Sequence, residues 1–209
     1  MLPDSAKSPE ETAALDLSAR EEVEAYLDNL VQGLLITPLP IMHSAADRSP
    51  PFSFSLLQNR DCLREVVFSG RNPFLVQAPL EDTMNGVIDL VFRHAGKYYI
   101  ADWKTNWLPN YGRPELAEEM ESQDYYLQAA LYADAVSKWL KLSRLPADSF
   151  GGVLYIFVRA FTTDPYYEGI IDEALQDAAR ASGDTPGVLF IDTTELASLA
   201  ARYQIGECT

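Results

Sequence analysis

The spacing of apolar residues near the start of the chain predicts a helix. After Ser18, apolar residues recur every three or four positions: Val23, Tyr26, Leu27, Leu30, Val31 and Leu34. Ser18 is a suitable N-cap and Glu21 completes a capping box, while the proline-rich run Thr37-Pro38-Leu39-Pro40 favours an end there. The pattern therefore predicts a helix with one apolar face, preceded by a flexible polar flank over residues 1–17.

Shorter apolar runs in the next part of the chain predict strands. They are Leu63–Ser69, Phe74–Pro79, Val87–Arg93 and Lys97–Trp103. The last two flank His94-Ala95-Gly96, which predicts an antiparallel hairpin with a tight turn. Residues 41–60 are predicted to be a loop with short extended pieces.

The second half of the chain alternates between helical and strand-like patterns of apolar residues. Helical spacing covers residues 114–142, with a break near Ser122, and Ile170–Ala181 predicts another helix. Val153–Arg159 is apolar enough for a central strand, and Val188–Ile191 predicts a last strand. Asp192 or Thr193 would cap a final helix to about Tyr203. This mixed order predicts an α/β fold with a mixed central sheet flanked by helices.

Composition limits the classes of function. The chain has 209 residues and a net charge of −15, which fits one domain over residues 18–209 but not a free-standing nucleic-acid binder with a basic surface. An acidic chain that acts on DNA needs a metal ion, or a partner that holds the DNA. Cys62 and Cys208 lack the spacing of a zinc site or iron–sulfur cluster and favour a reducing cytoplasm. No apolar run is long enough to span a membrane.

Three charged residues on the hairpin are the strongest candidates for chemistry. Asp89 interrupts an apolar strand, and Asp102 and Lys104 are two apart, so their side chains share one face of the next strand. If the hairpin pairs as predicted, Asp89 lies beside Asp102, and two adjacent carboxylates favour Mg²⁺ or Mn²⁺. Lys104 could orient or deprotonate a water, or stabilise phosphate charge. The alternatives are a strand-end Asp89 that accepts a backbone hydrogen bond and a surface Asp102–Lys104 ion pair.

Glu65 is a candidate third carboxylate. It alternates with apolar residues in a preceding predicted strand. The alternative is a solvated edge-strand residue paired with Arg64 or Arg71.

Polar residues on the helix over residues 114–142 form a candidate supporting group. Gln128 and Tyr132 are four apart and share a face, and Tyr125 lies on the same stripe. Such groups can grip a phosphate or base edge, or support a metal site. The alternative is an ordinary half-buried helix face.

Four ordered segments of the chain resemble one nuclease family. They are Gly86–His94, Tyr98–Leu108, Tyr125–Tyr132 and Gly151–Arg159, and together they are similar to the C-terminal nuclease domain of RecB, the exodeoxyribonuclease V beta subunit, of the PD-(D/E)XK superfamily. Leu63–Phe68 is more loosely similar to the strand that carries the family's upstream glutamate.

The resemblance implies a restriction-endonuclease-like core that hydrolyses DNA phosphodiester bonds. By position, Asp89 and Asp102 would hold Mg²⁺, with Mn²⁺ as a substitute, and Lys104 would be the catalytic lysine. Glu65 would be an auxiliary catalytic acid, and Gln128 with Tyr132 the supporting helix motif. The implied partners are single DNA strands, a helicase part of the same subunit that delivers them, and the other subunits of a cytoplasmic helicase–nuclease that processes double-strand ends.

One feature of the family is absent from the expected place. The family has a metal-ligand histidine in a Gly-x-x-x-His setting on an early helix, but His43 follows the first predicted helix and His94 lies in a hairpin turn, where we expect it to be solvent-exposed. We therefore expect either a fragment that begins downstream of that histidine or a short stand-alone relative. Three alternatives stay open: a non-catalytic DNA-binding or scaffold domain, an iron–sulfur nuclease, and a metal-dependent enzyme that acts on a small phosphate ester.

Overall fold

A mixed five-stranded sheet forms the centre of the protein. The computed structural model describes residues 9–41, 52–71, 83–161 and 184–205. The strands are β1 (Cys62–Arg71), β2 (Thr83–His94), β3 (Lys97–Lys104), β4 (Phe150–Phe157) and β5 (Val188–Ile191). Their spatial order is their chain order, and only the β3–β4 pair is parallel. The predicted mixed sheet is confirmed.

Four α-helices accompany the sheet in the described residues. They are α1 (Pro9–Ile36), α2 (Arg113–Ser122), α3 (Tyr125–Leu142) and α4 (Thr193–Arg202). Short 3₁₀ turns lie at Phe54–Leu56, Asn59–Asp61, Ala147–Ser149 and Val158–Phe161. The helices α2 and α3 form the crossover that two parallel neighbours such as β3 and β4 require, and α3 packs against β4 and α4.

The β2–β3 hairpin has the predicted position and turn. Ala95 and Gly96 have φ angles of 47° and 82°, and a two-residue turn of type I′ needs positive φ at both central positions. The prediction that His94 is solvent-exposed is wrong. Its ring is half-buried and lies 4.2 Å, centroid to centroid, from that of Phe52, because the segment before β1 folds over this end of the hairpin.

The core is densest around β4. Residues Val153–Phe157 are completely buried, as expected for a continuous apolar run in a sheet interior. At the start of this strand, a Cβ on Gly151 would lie 2.2 Å from the Tyr99 ring, so glycine leaves the room that this buried ring occupies. The predicted central strand is confirmed, although its last two residues belong to a 3₁₀ turn.

The first helix differs from its prediction in two ways. It begins at Pro9, so the predicted flexible flank over residues 1–17 overlaps it from that residue onward. Proline at the first position followed by Glu10 and Glu11 is itself a helix-start signal, and it lies upstream of Ser18. The apolar face is also only partly buried: Leu30 lies in the core, but three residues of the predicted face are exposed, namely Val23, Leu27 and Val31.

Of the remaining predicted elements, some are confirmed and others lie outside the described residues. The break near Ser122 is confirmed, because Asp124 has a left-handed φ of 55° between α2 and α3. Asp192 caps α4 as predicted, accepting hydrogen bonds of 2.8 Å from two backbone N–H groups. Three predicted features lie outside the described residues: Phe74–Pro79, Ile170–Ala181 and His43. Among the described helices, none is long and apolar enough to cross a membrane.

Candidate active site

The hairpin places Asp89 and Asp102 at neighbouring positions. Leu90 pairs with Ala101, so the next register position sets Asp89 opposite Asp102. The side chain of Asp89 on β2 also contacts the backbone of β3, because its Oδ2 accepts a hydrogen bond of 2.9 Å from the Trp103 N–H. The predicted proximity and the alternative of a backbone hydrogen bond to Asp89 are therefore both present. This hydrogen bond fixes Asp89 beside its neighbour.

Asp102 is a buried carboxylate whose pKa is subject to opposing effects. The residue is 3% exposed, and this burial raises the pKa of its carboxyl above the ordinary value. The nearby ammonium of Lys104 opposes this rise in pKa, while the negative charge of Asp89 adds to it. Asp102 Oδ2 lies 2.6 Å from Lys104 Nζ, so this carboxylate oxygen forms an ion pair with the ammonium. A carboxylate oxygen has two lone pairs, so Oδ2 can still accept from a second group.

Lys104 is held inside the protein and does not belong to a surface ion pair. The residue is 8% exposed, and its Nζ donates a hydrogen bond of 2.9 Å to Gln128 Oε1 in addition to its contact with Asp102. The ammonium also lies 3.7 Å from the centroid of the Tyr125 ring and 5.2 Å from that of Tyr155. Two aromatic faces and two oxygen atoms therefore define its position.

Gln128 connects the lysine to the backbone of β2. Its Oε1 accepts hydrogen bonds from Lys104 Nζ and from the Tyr155 hydroxyl, at 2.9 and 3.0 Å. Its Nε2 donates to Tyr132 Oη at 3.0 Å, and the Tyr132 hydroxyl donates to the Val87 carbonyl at 2.7 Å. Burial is the main cause that raises the pKa of both phenols, so both hydroxyls remain protonated donors. The structure thus brings Gln128, Tyr132 and Tyr125 to the hairpin carboxylates and the lysine.

Sequence reasoning missed two members of this cluster, Tyr155 and Asn106. Tyr155 lies in a continuous apolar strand, where a buried phenol usually needs a hydrogen-bond partner. Its position in that strand could therefore have indicated that its hydroxyl contacts other polar groups. Asn106 lies in the loop after β3; its Nδ2 donates to Glu119 Oε1 at 2.6 Å, and its Oδ1 accepts from the Tyr125 hydroxyl at 3.3 Å. No local sequence pattern indicated these long-range contacts.

Glu65 lies near the cluster in the sheet but does not contact it. It occupies the β1 position opposite Asp89, between the pairs Arg64–Leu90 and Val66–Ile88. It is exposed and has a left-handed φ of 51°, which is uncommon outside glycine. No hydrogen bond or ion pair joins its side chain to another described residue, and the guanidinium of Arg64 binds Asn59 instead. The auxiliary role of Glu65 stays a prediction.

Comparison with known proteins identifies the family. The chain matches the PD-(D/E)XK nuclease superfamily over residues 6–201. The chain belongs to the PD-(D/E)XK nuclease superfamily. The mixed sheet with flanking helices is the restriction-endonuclease-like core of this superfamily, as the sequence predicted.

Curated relatives of this PD-(D/E)XK domain are subunits of one enzyme. The RecBCD enzyme subunit RecB of Haemophilus influenzae is 31% identical over 185 residues, which are 72% of this chain and 15% of that protein. The RecB subunits of Escherichia coli and Mycolicibacterium smegmatis are 38% and 43% identical over 94 and 93 residues, or 42% and 39% of this chain. These matches cover 8% and 9% of the two relatives, so the chain corresponds to a small part of them. The predicted resemblance to RecB is confirmed.

The donor set of the PD-(D/E)XK site fits a hard divalent cation. Two adjacent carboxylates, one buried and one half-buried, supply the oxygen ligands that Mg²⁺ and Mn²⁺ prefer. In the described part of the chain, no group of three or more Asp, Glu, His or Cys residues could hold a metal ion. A cation at Asp89 and Asp102 would therefore complete its coordination with oxygen atoms of water or phosphate, as Mg²⁺ commonly does.

Proposed function

We propose that this PD-(D/E)XK domain is a Mg²⁺-dependent deoxyribonuclease of the exodeoxyribonuclease V type. The observation that carries the proposal is the burial of Lys104 beside Asp102, with Asp89 at the neighbouring register position. Burying an ammonium and a carboxylate beside a second, half-buried carboxylate is costly, and clusters of this kind are typical of catalytic sites. We also propose Glu65 as an auxiliary acid at the exposed edge of the same region.

Each residue of the site has a role that follows from its contacts. Asp89 and Asp102 would hold the cation, and a bound divalent cation supplies Lewis-acid polarisation of the phosphate and favours ionisation of the attacking water. The ammonium of Lys104 would stabilise the charge that develops on the phosphate oxygens. Gln128 and Tyr132 position the lysine, and the ring of Tyr125 lies against its ammonium.

The proposed substrate is a single DNA strand delivered by a partner. The relatives are named as subunits of the RecBCD enzyme, and the net charge of −15 repels free DNA. We therefore propose that the domain acts in the cytoplasm as the C-terminal nuclease part of a helicase–nuclease that processes double-strand DNA ends for recombination and repair. The helicase part of the same subunit would supply the strand.

A non-catalytic role is the second candidate. In the described residues only two carboxylates meet at the site, and Lys104 contacts the oxygen of Asp102 that a cation would use. A domain that binds or separates strands, or acts as a scaffold within the complex, would need no third ligand. The two candidates differ in whether the isolated chain can cleave DNA at all.

A cleavage assay with matched variants tests the proposal. Wild type, Asp89→Asn and Asp134→Asn are incubated with a single-stranded oligonucleotide over a series of Mn²⁺ and Mg²⁺ concentrations. Asp134 is the control, because it pairs with Lys138 on an exposed part of α3. We expect cleavage by wild type and Asp134→Asn that EDTA stops, and none by Asp89→Asn.

Two results of this assay would contradict the proposal. Equal cleavage by Asp89→Asn would remove this residue from the site. DNA binding without cleavage at saturating Mn²⁺ would favour the non-catalytic candidate. A small phosphodiester is tested in parallel, because an enzyme that acts on small phosphate esters would hydrolyse that compound and leave the oligonucleotide intact.

A further inference from the structure

Trp107 is an exposed aromatic residue held at a defined place beside the active site. It is 58% exposed, in the loop that follows β3, although both of its chain neighbours are anchored. Asn106 is hydrogen-bonded to Glu119 and to the Tyr125 hydroxyl. Leu108 is buried, and its N–H lies 3.4 Å from the Tyr111 hydroxyl. The indole is therefore presented to solvent by a loop that is fixed on both sides.

Arg159 accompanies this indole. Its Nε donates a hydrogen bond of 2.8 Å to the Thr105 carbonyl, and its guanidinium carbon lies 5.4 Å from the centroid of the Trp107 ring. The guanidinium groups of Arg113 and Arg202 pair with carboxylates, whereas Arg159 forms no ion pair with a described residue. Its charge is thus held in place by a neutral carbonyl and remains available to an anion.

The Trp107–Arg159 pair lies at the same end of the sheet as the catalytic lysine. Arg159 follows β4 and Lys104 ends β3, and these strands are parallel, so their carboxyl ends meet at one edge. The connection between the two places is short, because the ring of Tyr125 contacts Lys104 Nζ and its hydroxyl binds the side chain next to Trp107. A strand held by the pair would therefore lie close to the site.

We propose that Trp107 and Arg159 form a binding subsite for a single DNA strand, in which a base stacks on the indole and the guanidinium contacts a phosphate. The inference rests on the proposed function for its substrate class. Stacking is possible with any base because every base has a π face, and an arginine beside the aromatic ring supplies the cation that the backbone needs. An exposed ring next to a fixed cation matches the two contacts that a nucleic-acid strand offers, a base face and a phosphate.

A binding assay without metal tests the subsite separately from catalysis. Fluorescence anisotropy in EDTA compares a short oligothymidylate with an oligomer of equal length that has abasic sites throughout. The variants are Trp107→Ala and, as matched control, Trp139→Ala, since Trp139 is partly exposed on α3 and packs edge-on against Tyr98. The loss of one stacked base should weaken oligothymidylate binding by about 5- to 150-fold. We expect no change with the abasic oligomer, and none for Trp139→Ala with either.

A second pair of variants tests the cation. Arg159→Gln should weaken binding to both oligomers and reduce the dependence of log Kd on log salt by about one. Arg144→Gln, which removes an exposed arginine at the end of α3, should change neither. Arg159→Lys should restore part of the affinity. Thermal melting of each variant verifies the fold, and Trp107→Tyr should retain most binding, since a phenol ring can also stack.

The outcomes separate the subsite from the proposed function. The inference is overturned if wild type binds both oligomers equally, if Trp107→Ala behaves as Trp139→Ala, or if it weakens abasic binding as much. A change of oligomeric state in Trp107→Ala with unaltered DNA affinity would indicate a protein interface and also overturn it. Base-dependent binding by a chain that never cleaves DNA would support the subsite and contradict the proposed catalysis.

Discussion

Replacing Asp102 with asparagine should stabilise the metal-free protein at neutral pH. Burial raises the pKa of this carboxyl in the folded state, so its contribution to stability is greatest below the unfolded pKa of about 3.9 and is lost as the pH rises through the folded pKa. Protonated aspartic acid and asparagine are similar in shape. The stability difference between Asp102→Asn and wild type should therefore be small at low pH and should grow in favour of the variant by at most about 1.4 kcal/mol per pH unit, levelling off above the folded pKa.

Urea unfolding measures this difference. Both proteins are unfolded in EDTA at several pH values, and then at neutral pH with increasing Mn²⁺. A cation that binds only the folded wild type at 100 times its Kd would add about 2.7 kcal/mol to the free energy of unfolding, and Asp102→Asn should lose this gain. A stability difference that does not vary with pH would refute the account of Asp102 burial. Equal Mn²⁺ stabilisation of both proteins would refute its role as a ligand.

Three further substitutions test the network and the fold. Lys104→Ala should lower the initial rate of DNA cleavage by about 10²- to 10⁴-fold with a retained fold by circular dichroism, and a near wild-type rate would contradict its catalytic role. Tyr132→Phe removes the donor to the Val87 carbonyl and should cost about 1–3 kcal/mol in urea unfolding, a cost that should be absent if water replaces the hydroxyl. Asp192→Ala removes the cap of α4 and should cost about 0.5–2 kcal/mol in the same assay without altering cleavage, whereas an altered rate would connect this helix to the site.

The hairpin site could be predicted because its determinants are local. A turn at Ala95-Gly96 fixes the register of β2 against β3, and the register alone places Asp89 opposite Asp102. Strand periodicity then puts Lys104 on the face of Asp102. The hairpin turn and the two-residue period of a strand therefore determine where Asp89, Asp102 and Lys104 lie relative to one another.

The rest of the site depends on distances across the fold. The hydrogen bond from Tyr155 to Gln128 joins residues 27 positions apart, and the one from Tyr132 to Val87 spans 45. A helical stripe shows that Gln128 and Tyr132 share a face, but not which strand they meet. For α1, hydrophobic spacing predicts which residues share a face, but not which segments cover that face. In the structure α1 packs against the 3₁₀ turns Phe54–Leu56 and Val158–Phe161, and Val23 and Leu27 stay exposed.

The charge of the chain and the position of its lysine together restrict how DNA can reach the site. A net charge of −15 repels phosphates over a range of about 8–10 Å at physiological salt, and several surface cations are already paired with carboxylates, as Arg113, Lys138 and Arg202 show. Lys104 is buried and cannot attract a strand from a distance. In the proposed arrangement, a partner that brings the strand past this barrier raises the rate at which DNA reaches Trp107 and Arg159. The acidity of the domain would then act as selection, because DNA held by the helicase part would be cleaved faster than free DNA.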